Sequence, residues 1–198
     1  MKGKKQLEIY LEGLEKKTRY INFLEQYPTD SSSASYVLNV AYNDGNIGGR
    51  NILDLGTGNG IFACGARALG AASVVGMDVD EEQIAVAIRN CGSDGVDFVA
   101  ASVESAAGSY DTVIMNAPFG SVNAHADLPF LEKAVELGEF IYSIHNIKSR
   151  DFVRNFYMGK GEIFREEILD ITVGRLYKHH RKDRATIRSV FFSVRVEH

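Results

Sequence analysis

Three short stretches of this chain combine residue types that can do chemistry. They are Asp54-Leu55-Gly56-Thr57-Gly58-Asn59-Gly60, Asp78-Val79, and Asn116-Ala117-Pro118-Phe119-Gly120. Glycines at alternate positions let a backbone turn sharply and approach a ligand closely. The spacing is G-x-G-x-G, so it fails the G-x-G-x-x-G dinucleotide fingerprint, and no lysine follows to complete a P-loop. An acid at Asp54 repels phosphates but holds an ammonium. Asp78 lies 24 residues further on, where a carboxylate accepts hydrogen bonds from ribose hydroxyls. In the third stretch the Asn116 amide accepts one hydrogen of a planar amino group and a backbone carbonyl accepts the other. Phe119 offers a ring to stack on a base. Two such acceptors draw the nitrogen lone pair out of conjugation, and catalysis then rests on positioning and fixed dipoles.

These stretches need elements to position them. Asn51–Leu55 is a short apolar run that reads as a strand, and the glycine turn leads from it into a helix ending near Leu69. A second strand covers 73–77 and ends at Asp78; a helix follows over 81–91, with Ile84, Ala87, Ile88 and Cys91 on one face. Strands are predicted at 96–99, at 111–115 ending on Asn116, and at 140–144, with helices near 127–137 and 149–158. Residues 162–173 and 185–196 read as two long strands with no helix between them. Ahead of all this, 4–26 carries apolar residues at helical steps and stops at Tyr27-Pro28, and a second helix is expected at about 34–43.

Alternating strands and helices imply a parallel sheet with helices on both faces. The expected fold is α/β and Rossmann-like: seven strands, mostly parallel, with one antiparallel strand from the final hairpin. Residues 1–45 are read as an N-terminal helical segment over the ligand site, and 46–198 as the main domain. The two acids and the glycine turn suit a nucleoside with a cationic tail. S-adenosyl-L-methionine fits that description better than a nicotinamide dinucleotide.

The 198 residues carry a net charge of −4, which by itself gives no hint of nucleic acid. The charge is unevenly spread. Residues 1–20 hold six basic against three acidic side chains, and 175–195 hold seven against one, while the remainder is at −13. Lys178-His179-His180-Arg181-Lys182 is therefore a basic loop on an acidic body, suited to RNA phosphates. Tyr177 and Phe119 offer stacking surfaces for an unpaired base. No apolar stretch is long enough for a membrane span, and no secretory signal is expected. Two cysteines, Cys64 and Cys91, are too few for a disulfide scaffold or a four-ligand zinc site. They are read as reduced core residues of a cytoplasmic protein. The histidines show no ligand spacing, so no metal is predicted. His145, at a strand end, is a candidate for the substrate cleft and equally for a structural histidine of the core.

The glycine turn with its acids resembles the class I S-adenosylmethionine-dependent methyltransferases. That resemblance implies that Asp54, Gly56, Thr57, Gly58, Asn59 and Gly60 face the methionyl part. It places Asp78 and Val79 at the ribose, and Ser102 and Val103 at the adenine, where an acid is common. Asn116-Ala117-Pro118-Phe119 is similar to the Asn-Pro-Pro-Phe/Tyr motif of amino-group methyltransferases. Ala117 replaces the first proline and keeps its carbonyl.

The likeness extends to Leu24-Glu25-Gln26-Tyr27-Pro28-Thr29, to Tyr142-Ser143-Ile144-His145 and to the basic segment from Tyr177. Together these resemble the methyltransferase-like protein five family, adenine-N6 methyltransferases of small-subunit ribosomal RNA. The resemblance implies that Gln26, Tyr27 and Thr29 cover the cofactor, and that His145, Tyr177, Lys178, His180, Arg181 and Lys182 meet RNA. It also implies a small zinc-binding activator subunit in some members. Two other readings of the same residues stand beside it: a protein glutamine-N5 methyltransferase, and a catalytically weak cofactor-binding RNA-associated protein.

Overall fold

The computed structural model describes residues 3–16, 28–92, 95–118, 126–174 and 184–197. Seven strands form one sheet in the order β3-β2-β1-β4-β5-β7-β6. The strands are β1 (Asn51–Leu55), β2 (Ser73–Asp78), β3 (Val96–Ala100), β4 (Tyr110–Asn116), β5 (Gly138–Asn146), β6 (Gly161–Gly174) and β7 (Arg184–Val196). Pairings from β3 through β5 are parallel, and β7 runs antiparallel to both neighbours. One reversed strand in a seven-stranded sheet agrees with the sequence pattern. The helices are α1 (Lys4–Glu12), α2 (Ser31–Asn43), α3 (Ile61–Ala68), α4 (Glu81–Cys91), α5 (Leu128–Leu137) and α6 (Arg150–Met158).

The central strands are buried on both faces, and their side chains alternate between two cores. Ile52, Ile114, Tyr142, Ile144 and Phe191 point to the face covered by α1, α2 and α3. Leu53, Leu55, Val113, Met115, Ile141, Phe192 and Val194 point to the face covered by α5 and α6. This is the period of two of a pleated strand, and it decides below where each polar residue of these strands can reach.

The structure differs from the sequence pattern at α1 and at the two cysteines. The helix expected over 4–26 ends at Glu12. Gly13 follows with its N–H turned back to the carbonyls of Ile9 and Tyr10, and glycine is a poor helix residue. Residues 17–27 lie outside the described residues. Leu7, Leu11 and Leu14, the periodic leucines, still pack into the core.

The cysteines are also corrected. Cys64 and Cys91 are buried, as expected, but they form a disulfide with Cα atoms 5.6 Å apart. The strand order explains it. Strands β1, β2 and β3 step in one direction, so right-handed crossovers place α3 and α4 side by side on one face. The strand-bounded spacing then brings the middle of α3 to the end of α4.

The second helix begins at Ser31, earlier than expected, because Asp30 caps it and accepts from Ser33 N at 3.0 Å. Along β5 and β7 the pairing ends at Asn146 opposite Ser189. Strands β6 and β7 continue pairing beyond that point to Gly174 and Arg184. The hairpin is thus an arm standing past the edge of the sheet where β1, β2, β4 and β5 end.

Candidate cofactor and methyl-transfer site

A cavity of about 430 Å³ lies at those strand ends, a size suited to a ligand of nucleoside dimensions. Its wall contains Thr29, Gly56, Thr57, Gly58, Asn59, Asp78, Val79, Ser102, Val103, Asn116 and Pro118, all candidates from the sequence. The carboxyl ends of β1, β2, β3 and β4 meet there with the segment before α2, because parallel strands deliver those ends to one crevice.

Gly56 and Gly58 take positive φ values of 70° and 55°, which only glycine adopts without strain. A Cβ on Gly56 would stand 3.1 Å from the Phe130 ring. The turn therefore leaves its backbone bare toward the cavity. Asp78 is stitched into the same turn: one oxygen accepts Gly58 N–H and the other accepts Asp80 N–H, both at 2.9 Å. Asp80 in turn caps α4. Asn59 donates to the Glu15 carbonyl at 2.9 Å, and Glu15 pairs with Arg89. The N-terminal segment is thereby tied to the glycine turn from outside.

Among the described residues, four candidates are not in the cavity wall. Asp54 is fully buried. It lies two residues beyond Ile52 on β1, shares its face and so points at α3, where Ala63 N–H donates to it at 3.0 Å and the Thr57 hydroxyl at 2.6 Å. Burial pushes its carboxyl up to about 7, against the downward pull of Thr57 and Ala63. Asp54 braces the turn from behind instead of facing the methionyl end.

Gly60 starts α3 at φ 83°, close against Ala87 and Phe98. Ala117 is buried, with its N–H on the Ile144 carbonyl at 3.3 Å. It extends the β4–β5 pairing by one step.

His145 is buried under α5 and α6 and does not reach the cleft. It shares the face of Ile141, with Tyr157 and Phe192 edge-on and Asp127 at 3.7 Å. Burial lowers its pKa, with Asp127 opposing. Of the two roles open to it, packing is the one its surroundings support, against Tyr157, Phe192 and Asp127. Gln26, Tyr27, Phe119, Tyr177, Lys178, His180, Arg181 and Lys182 lie outside the described residues.

The cavity also holds residues that the sequence reading did not select, among them Phe62, Gln83, Glu104 and Phe130. Glu104 is the most telling. The expected acid beyond β3 was assigned to the Ser102 position; the acid stands two residues later, and the Ser102 hydroxyl donates to it. That bond holds the Glu104 carboxyl below its usual range. Glu104 is the first acid after β3, so counting acids past the strand end would have found it.

Comparison with known proteins bears on what such a cavity binds. The family model for ribosomal protein L11 methyltransferase matches residues 36–123, which contain the glycine turn, Asp78 and Asn116. A Danio rerio protein named rRNA N(6)-adenosine-methyltransferase METTL5 is 34% identical over 181 residues, covering 85% of this chain and 86% of its own. This chain belongs to that family.

Solved structures share the fold over the full length. A Thermoplasma acidophilum protein is 50% identical, with a TM-score of 0.82 over 100% of this chain and 99% of its own. The Pyrococcus horikoshii protein PH1948 is 34% identical, with a TM-score of 0.92 over 99% and 98%. The fold is that of the class I methyltransferases, and the cofactor of this METTL5-family chain is S-adenosylmethionine. The residues fit it: bare glycine backbone, Asp78 at the end of β2 and a crevice of matching size face one another. No helix among the described residues is long and apolar enough to cross a membrane.

Proposed function

We propose that this chain methylates the N6 amino group of an adenine in small-subunit ribosomal RNA. The observation that carries the reading is the place of Asn116. It ends β4, lines the cofactor cavity and is followed by Pro118 in the same wall. The near full-length likeness to a METTL5 protein supports the choice of RNA adenine over other planar amino groups.

The cofactor supplies an electrophilic methyl group on a sulfonium. Asp78 and the backbone of Gly56 to Asn59 hold it, with Glu104 and Ser102 toward its base. Asn116 Oδ1 accepts one hydrogen of the adenine amino group and the Ala117 carbonyl accepts the second. Both hydrogen bonds favour the pyramidal nitrogen of the transition state over the planar one of the free base. The proton then leaves to water, so no strong base is needed. The target adenine must be unpaired or flipped out of its stack. The hairpin arm of β6 and β7 projects past the same edge, and in this reading the basic sequence between the two strands, 175–183, binds the RNA.

The family resemblance also brings a small zinc-binding activator that pairs at a sheet edge, and β3 and β6 are the two edges available. The enzyme in this reading acts in the cytoplasm, and residues 1–45 form a cover over the cofactor.

Labelled S-adenosylmethionine tests the substrate class. Small-subunit rRNA and a glutamine-bearing release-factor peptide are offered in parallel. Label in RNA alone is expected. Label in the peptide with none in RNA would establish the glutamine reading instead.

A further inference from the structure

We propose that Thr29 is a positioning residue for Asn116: its hydroxyl anchors the carboxamide so that Oδ1 is presented to the amino group being methylated. The inference rests on the catalytic reading of Asn116 given above.

The contact follows from strand alternation. Asn116 lies two residues beyond Ile114 on β4 and shares its face, the one covered by α2. Thr29 is the second residue before that helix. Asn116 Nδ2 donates to Thr29 Oγ1 at 2.9 Å. The two ends of a carboxamide point apart, so fixing Nδ2 on Thr29 turns Oδ1 away from it. Donation through Nδ2 also polarises the amide and makes Oδ1 a better acceptor. An amide free to rotate would present its own N–H groups to the substrate amino group for part of the time, donor against donor.

Thr29 is itself held. Its side chain is buried. The next residue, Asp30, accepts from Ser33 N at 3.0 Å, from the Ser33 hydroxyl at 2.7 Å and from Thr172 N–H of β6 at 2.9 Å. The backbone before α2 is thus pinned both to its own helix and to the hairpin arm. A group fixed in this way supports a catalytic side chain with little reorganisation.

Thr29 also lines the cofactor cavity, so the test must separate orientation from cofactor holding. Methyl transfer to rRNA is measured at saturating S-adenosylmethionine for wild type, Thr29→Ser, Thr29→Val and Asn116→Ala. Cofactor Kd comes from calorimetry and folding from thermal unfolding. Thr29→Val is expected to lower kcat about 10-fold or more while Kd stays within about threefold, and Thr29→Ser to restore kcat to within about threefold of wild type. Wild-type kcat in Thr29→Val would overturn the proposal, whether or not Kd rises. If Asn116→Ala is inactive in that case, the inference fails alone. If Asn116→Ala is fully active, the catalytic reading and the inference fail together.

Discussion

The Thr57 hydroxyl donates to the Asp54 carboxylate at 2.6 Å, which ties Thr57 in the cavity wall to a buried acid outside that wall. Asp54 is fully buried with its pKa raised to about 7, chiefly by burial. Between about pH 4 and pH 7 the folded chain keeps a proton that the unfolded chain has released. Stability therefore falls as pH rises through that window and levels off above it. Asp54→Asn keeps an acceptor for Ala63 and Thr57 but carries no charge. Its unfolding midpoint, followed from pH 5 to pH 8, is expected to lose much of the decline seen in wild type. Parallel curves for the two proteins would show that Asp54 contributes nothing to the pH dependence.

Asp78 offers both oxygens to backbone N–H groups, of Gly58 and of Asp80. A ligand ribose can share them without moving the turn. Asp78→Ala removes the ribose acceptor and leaves both N–H groups without this partner. Calorimetry should show S-adenosylmethionine binding weakened by about 10- to 100-fold, or ~1.4 to 2.8 kcal/mol. Asp78→Asn, with one acceptor oxygen left, should fall between. Unchanged affinity in Asp78→Ala would remove the carboxylate from the binding site.

The Cys64–Cys91 disulfide closes a segment of 27 residues that includes β2 and Asp78. Constraint of the unfolded chain by a loop of that length contributes about 3 to 4 kcal/mol. Urea unfolding of a Cys64→Ala/Cys91→Ala variant, or of the reduced protein, is expected to show a loss of that order. An unchanged midpoint would mean that packing of α3 against α4 alone carries the stability of this region.

Much of the fold was legible because its strands are buried on both faces and read as short apolar runs between turn residues. The bounds of β1 and α4 agree with the sequence pattern to the residue, and Asp78 and Asn116 end their strands as expected. What was missed depends on which face a residue takes. Motif position alone places Asp54 at the ligand, whereas alternation from Ile52 turns it toward α3. Strand position leaves His145 open between cleft and core, whereas counting in twos from Ile141 sends it beneath α5 and α6. The disulfide was not legible at all, since it depends on two crossovers landing on the same face. Glu104 was overlooked because the short turn after β3 shifts the acid by two positions.

In the proposed reaction Asn116 presents an RNA adenine amino group to the cofactor for methylation at N6. Mass spectrometry of nucleosides from small-subunit rRNA, incubated with S-adenosylmethionine and either wild type or Asn116→Ala, tests it most directly. N6-methyladenosine is expected with wild type, and a rate at least about 100-fold lower with Asn116→Ala at a cofactor affinity within about threefold. N6-methyladenosine formed equally fast by Asn116→Ala, or a methyl group found at another nucleoside position, would contradict it.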